Sequence, residues 1–114
     1  MEGKMESKVL PAYLIGRINV KDHADYMNRY AMPVLEQFKA AGAEILVATP
    51  QPEVLEGEWK SNWTVLVRFP SMEAARKFYH SDEYAPFRAL RINELTNEGT
   101  ALLVEGFDLA ALGL

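Results

Sequence analysis

The sequence predicts one α+β domain in the order β-α-β-β-α-β, its strands forming a four-stranded antiparallel sheet. Two junctions carry that expectation. Val65, Val67 and Phe69 recur at the two-residue period of a strand, and Pro70-Ser71 then stops it and opens a helix. Earlier, residues 13–20 alternate in the same way and run into Asp22, a residue suited to a helix N-cap. The resulting order is the split βαβ plan of ferredoxin-like domains.

The elements follow in turn. In the first strand, residues 13–20, Tyr13, Ile15, Arg17 and Asn19 share one face, and Ala12, Leu14, Gly16, Ile18 and Val20 share the other. Asp22 caps the next helix, with Asp25 opposing the exposed amides of the first turn. Met27, Ala31, Val34, Leu35 and Phe38 give that helix an apolar stripe that can cover a sheet. Pro33 lies inside it and should kink or split it, and Gly42 suits its end. Residues 44–48 read as a short second strand, and the Thr49-Pro50-Gln51-Pro52 run after it excludes regular structure. Residues 53–59 are expected to be extended or a hairpin arm. Residues 62–69 form the third strand, and Ser71 caps a helix with Ala75, Phe78 and Tyr79 inward. Ser81 and Pro86 open a further helical stretch to about residue 95, and residues 100–106 supply the last strand.

Composition narrows the function classes. A formal charge of −4 over 114 residues gives no general attraction to phosphate, so nucleic acid is not an expected partner. The absence of cysteine excludes disulfides, thiolate nucleophiles and the common zinc frameworks. Residues 1–8 are polar and charged, with no apolar run behind them suited to a signal peptide or a membrane span. They read as a flexible leader of a cytoplasmic protein with no membrane partner. Residues 9–107 then form the domain and residues 108–114 a mostly apolar tail.

Right-handed crossovers place the first and third strands centrally, flanked by the fourth and second respectively. Helices cover only one face of such a sheet. The other face is expected to carry Tyr13, Ile15, Leu46, Leu66 and Leu103, with Arg17, Glu44, Thr64, Arg68 and Glu105 among them. Leaving those apolar groups in water forfeits about 1.5–3 kcal/mol for each large side chain. A homodimer through that sheet face is the economical solution.

With these elements in place, the chain resembles the domain of unknown function 1330 family, within the dimeric α+β barrel superfamily. The resemblance rests on Ala12-Tyr13, Val20-Lys21-Asp22, Tyr26 and Tyr30, and on the segment Glu53-Val54-Leu55-Glu56-Gly57-Glu58-Trp59. Phe69-Pro70-Ser71, Ala74-Ala75, Phe78-Tyr79, Ser81, Glu83-Tyr84, Leu90-Arg91 and Leu103-Val104-Glu105-Gly106 complete it, so that it spans roughly residues 10–107. It implies a ferredoxin-like subunit whose sheet pairs into a dimeric barrel, and it implies no established activity. By analogy alone, the wider superfamily suggests a cofactor-independent oxygenase or isomerase. The chain departs from the family pattern at Gly42-Ala43, where a Gly-Gly pair is usual. It departs again at Asn62, where an arginine is common, and at Arg68, where an acidic residue is usual.

Several side chains are candidates for chemistry. Taking the first and third strands as parallel neighbours puts Arg17 and Arg68 close together near the strands' C-terminal ends. They would form a clamp for a carboxylate-bearing small molecule, since the planar guanidinium suits bidentate pairing. The competing reading pairs Arg68 with Glu44 and Glu105 as structural ion pairs. Tyr26 and Tyr30, one helical turn apart, together with Trp63 and Tyr79, suit an aromatic pocket with hydroxyl donors; otherwise they are the amphipathic edge of the core. His23 and His80 are the weak catalytic candidates. His80 is the better placed of the two, beside Ser81-Asp82-Glu83 at a helix end; a solvated histidine is the plainer account of both. No metal site is expected from two isolated histidines, and no glycine-rich phosphate loop or other cofactor motif is present. Two readings stay open: a homodimer binding a small anionic or aromatic molecule, and a non-catalytic assembly module whose polar interior is structural.

Overall fold

The computed structural model describes residues 9–114, so the leader expected over residues 1–8 lies outside the described residues. Four strands form one sheet in the order β2-β3-β1-β4, with β1 at Ala12–Val20, β2 at Glu44–Thr49, β3 at Trp63–Phe69 and β4 at Thr96–Glu105. Every neighbouring pair is antiparallel. The fold is the expected ferredoxin-like α+β arrangement.

Between β1 and β2 runs one continuous helical arm: α1 (His23–Tyr26), a π-helical turn (Met27–Ala31) and α2 (Met32–Ala40). Asp22 caps it, its carboxylate accepting from the Asp25 amide at 3.0 Å. Pro33 splits the arm as its chemistry demands. Proline has no amide to return to the preceding turn, and the wider π turn, in which the Met32 amide reaches back to the Met27 carbonyl, immediately precedes it. Gly42 then leaves the arm at φ +74°, a conformation that a side chain disfavours. Between β3 and β4, α3 (Met72–Tyr79) follows Ser71, whose hydroxyl accepts from the Ala74 amide at 3.0 Å. A loop leads to α4 (Ala85–Leu90), and a second π-helical turn (Arg91–Leu95) enters β4 directly.

Helices α1 to α4 and the two π-helical turns lie on one face of the sheet. Phe38, Phe69, Phe78 and Tyr84 form an aromatic cluster in the core, with contacting ring centroids 4.5 to 6.2 Å apart. Such aromatic pairs add about 0.5–1.5 kcal/mol each beyond area burial. Phe69 among them, and Val34 and Val67 beside them, are fully enclosed.

Three expectations about the sheet need correction. First, β1 and β3 are antiparallel: the β2–β3 connection reverses the chain, so β3 runs against β1. Second, β2 carries an irregularity between Ile45 and Val47, which puts Val47 rather than Leu46 opposite Leu66 on the open face. Third, Val104 and Leu102 stand opposite Tyr13 and Ile15, so they occupy the open face, while Leu103 and Glu105 pair with Leu14 and Ala12 on the helix side. Strand β4 also begins at Thr96, four residues before the alternating pattern, because its polar start pairs with Asn19 and Val20 across a second irregularity. Residues 53–59 contain no strand; Gly57 turns them at φ +79°.

The open face therefore carries a row of Val47, Leu66, Ile15 and Leu102 across all four strands. Arg68 and Glu44 flank it on one side, paired at 3.3 Å, and Arg17 and the threonines Thr49, Thr64 and Thr100 flank it on the other. Val47 and Leu102 in that row are exposed.

Candidate functional site

The helical arm does not lie flat on the sheet. Beneath it is a partly open cavity of about 160 Å³ whose lining is almost entirely apolar and draws on all four strands. Leu14, Gly16 and Ile18 of β1, Val65 of β3, Ala48 of β2 and Ala101 of β4 make its floor. Gly16 matters here because a side chain at that position would extend into contact with Ile18 and Val65. Exposed Met32 and Ile45 stand at the rim.

The polar end of the cavity is built by the two π-helical turns. The first presents Tyr30 and the second presents Arg91, both buried and both lining the cavity. Insertions of this kind re-aim side chains and are frequent at functional sites. The Arg91 backbone is fixed by the buried Thr96 hydroxyl, which donates to its carbonyl at 2.8 Å. At the surface, Arg29 of the first π turn pairs with Glu94 of the second at 2.9 Å and with Asp25 at 3.1 Å, holding the two turns together.

Four tyrosines surround this end. The Tyr30 and Tyr84 hydroxyls are hydrogen-bonded at 2.5 Å, and Tyr84 packs against Tyr79 with ring centroids 5.6 Å apart. Tyr26 stacks on Tyr30 at 5.1 Å and meets Trp63 edge-on at 6.3 Å. The Arg91 guanidinium donates to the Tyr79 hydroxyl at 3.4 Å and lies 5.8 Å from the centre of the Tyr30 ring. Arg88, one turn earlier, donates to the Tyr79 carbonyl and lies over the Tyr79 and Tyr84 rings at 5.3 and 5.9 Å. No described carboxylate forms an ion pair with Arg88 or Arg91.

The ionisation of these groups follows from their surroundings. Burial pushes the Tyr26 and Tyr30 phenols well above the usual tyrosine range, against the pull of the nearby Arg91 charge. They are hydrogen-bond donors at neutral pH, not bases. For Arg91 burial alone would lower the guanidinium pKa, and the negative charge that Tyr30, Tyr84 and Tyr79 acquire when they ionise, with a hydrogen bond to Tyr84, more than reverses that. Arg91 is thus a permanent cation among neutral hydroxyls and ring faces.

Of the residues singled out from the sequence, Tyr26, Tyr30, Trp63 and Tyr79 come together on this cavity. Arg17 and Arg68 do not join them. Both lie on the open face, and because β1 and β3 are antiparallel they sit four register positions apart, about 14 Å at 3.4 Å per residue. Each has its own protein partners: Arg68 has Glu44, and Arg17 has the Lys60 carbonyl and the Thr100 hydroxyl, with Glu98 at 4.0 Å. Glu105, on the helix side, does not share a face with Arg68. His23 is exposed and meets the edge of Trp63 at 5.5 Å, and His80 is exposed against Tyr79 at 5.4 Å. Neither histidine lines the cavity. Asn62 has a structural task, its amide pairing with both the N–H (2.7 Å) and the carbonyl (2.9 Å) of Val20.

Sequence reasoning missed Tyr84 and Arg91 as site residues. The available signal was spacing: Tyr84, Arg91 and Leu95 recur on one helical face, so Arg91 is a charge placed on an inward stripe. No helix among the described residues is long and apolar enough to cross a membrane, and no described cluster of acidic and histidine side chains suits a metal.

Comparison with known proteins agrees with the fold. The family model for the domain of unknown function DUF1330 matches residues 11–107. A protein of unknown function from Rhodopseudomonas palustris, RPA0582, superposes with a TM-score of 0.70 at 10% identity, covering 89% of this chain and 85% of its own. A Caulobacter crescentus protein named as a "putative antibiotic biosynthesis monooxygenase" gives a TM-score of 0.62 at 14% identity, covering 88% of this chain and 92% of its own. At such identities these likenesses concern the fold alone. No curated protein matches the chain.

Proposed function

The chain belongs to the DUF1330 family, and we propose that it is a homodimeric protein that binds a small organic molecule in the cavity beneath its helical arm. The cavity carries this reading. Its volume of about 160 Å³ is close to that of an apolar cavity of about 150 Å³ able to take up benzene. The occupant is therefore the size of a single ring or a short chain. Well-packed cores contain few voids of this size, and leaving one empty lowers stability.

The dimer rests on the open face. The Val47, Leu66, Ile15 and Leu102 row would be covered by the same row of a second copy, with Arg68–Glu44 pairs at the margin. A self-complementary patch of this kind is what a two-fold interface requires. The proton-bearing side chains lining the cavity are the tyrosine phenols, the Trp63 indole and the Arg91 guanidinium, so oxygenase or isomerase chemistry there would rely on hydrogen-bond donation to an oxyanion.

Ligand-observed NMR against single-ring acids and neutral aromatics tests the binding, with Ala101→Phe as the control because it places a ring in the cavity from an exposed position. We expect binding by the natural chain and its loss in the variant. Absence of binding, or binding that Ala101→Phe leaves intact, would overturn the assignment. Light scattering tests the dimer, which a monomer at micromolar concentration would contradict.

A further inference from the structure

We infer that Arg91 is the recognition residue for a carboxylate on the bound molecule, which makes the ligand class an organic acid with a compact apolar body. The inference rests on the cavity being a binding site and adds the chemistry of its occupant.

Arg91 is 8% exposed, and burying an unpaired charge is costly unless something compensates it. Buried arginines ordinarily meet a carboxylate. Here the described partners are neutral: the Tyr79 hydroxyl at 3.4 Å, the Tyr84 hydroxyl, and the face of Tyr30. A guanidinium carries five N–H donors in a planar fork. Among the described residues, two phenols leave most of that fork without an acceptor. No described carboxylate stands within ion-pairing distance of the guanidinium. Arg91 itself lines the cavity.

The surrounding charge agrees. The chain as a whole is acidic, with a formal charge of −4, yet Arg88 and Arg91 stand one helical turn apart with no described carboxylate paired to either. A ligand carboxylate would supply the missing counter-charge in bidentate geometry. One of the hydrogen-bonded Tyr30 and Tyr84 hydroxyls keeps its proton for the ligand, since each phenol has a single O–H and one is used between them, and the remaining lining is almost entirely apolar. A neutral molecule of equal shape would fill the cavity and leave the cation uncompensated. The site therefore discriminates by charge at one end and by size at the other.

Phenylacetate and its neutral isostere phenylacetamide, titrated calorimetrically into the full chain, test this. The expected result is that the natural chain prefers the acid by tenfold or more. Arg91→Gln should remove that preference while keeping amide binding, and Arg91→Lys should retain part of it. The comparison in the natural chain needs no variant and decides the matter even if both variants fail to fold. Equal affinity for acid and amide overturns the role of Arg91 and leaves the binding cavity standing. Binding of neither probe overturns both.

Discussion

Replacing Arg91 with methionine should leave the protein as stable as before or make it more stable. The guanidinium has been taken from water at a cost of several kcal/mol, and the described groups that repay it are neutral. The Tyr79 hydrogen bond is long, at 3.4 Å, and falls below the usual strength of a bond to a charged group; the Tyr84 hydroxyl is a second neutral partner. The contact with Tyr30, 5.8 Å from the ring centre, is worth about 0.5–2 kcal/mol. Met fills most of the same volume without a charge and adapts to irregular surroundings. The balance is between no change and a gain of about 2 kcal/mol, within the range seen when buried ionic groups give way to apolar ones. Urea unfolding followed by tryptophan fluorescence measures it, provided the slope is unchanged. A gain of 1 kcal/mol would raise the melting temperature by about 4 °C for a domain of this length. A loss greater than about 2 kcal/mol would refute the reasoning, because it would mean that Arg91 is held by structural interactions and is not waiting for a ligand.

Three further outcomes follow from local chemistry. Tyr26 and Tyr30 stay protonated in the fold at pH values where the unfolded chain ionises them, so stability should fall as pH rises above about 10, by up to about 1.4 kcal/mol per pH unit for each; Tyr30→Phe should flatten the decline in alkaline urea titrations. Gly42→Ala should cost about 1–2 kcal/mol, since φ is +74° and the new methyl group would stand 3.2 Å from Pro70 Cγ; unfolding midpoints measure it. Asn62→Ala removes both side-chain bonds to the buried Val20 backbone and should cost about 2–3 kcal/mol, with faster hydrogen exchange at the Val20 amide.

Much of the fold is legible from local signals. Asp22 and Ser71 cap the helices that their positions predict, because a capping side chain answers to amides only three residues away. The alternation in β1 and β3 gives their faces correctly. The misassigned residues lie where the period is broken: the irregularity near Leu46 shifts Val47 outward, and β4 has apolar side chains on both faces, so Leu102 to Val104 offers no alternation to read. The strand direction was a topological matter, and taking β1 and β3 as parallel joined two arginines that the sheet holds apart. The aromatic side of the cavity was visible in the spacing of Tyr26 and Tyr30. Its cationic end was not, because it arises where two π turns far apart in sequence meet, and neither turn announces itself in residue type.

The most direct measurement is a nitrogen-15 amide titration of the natural chain with phenylacetate. The account predicts shifts concentrated on the two π turns, at Tyr30, Ala31 and Arg91, together with Tyr84 and the cavity floor at Gly16 and Val65. Shifts confined to Arg17, Leu66 and Arg68 on the open sheet face, or no shifts at millimolar ligand, would contradict it.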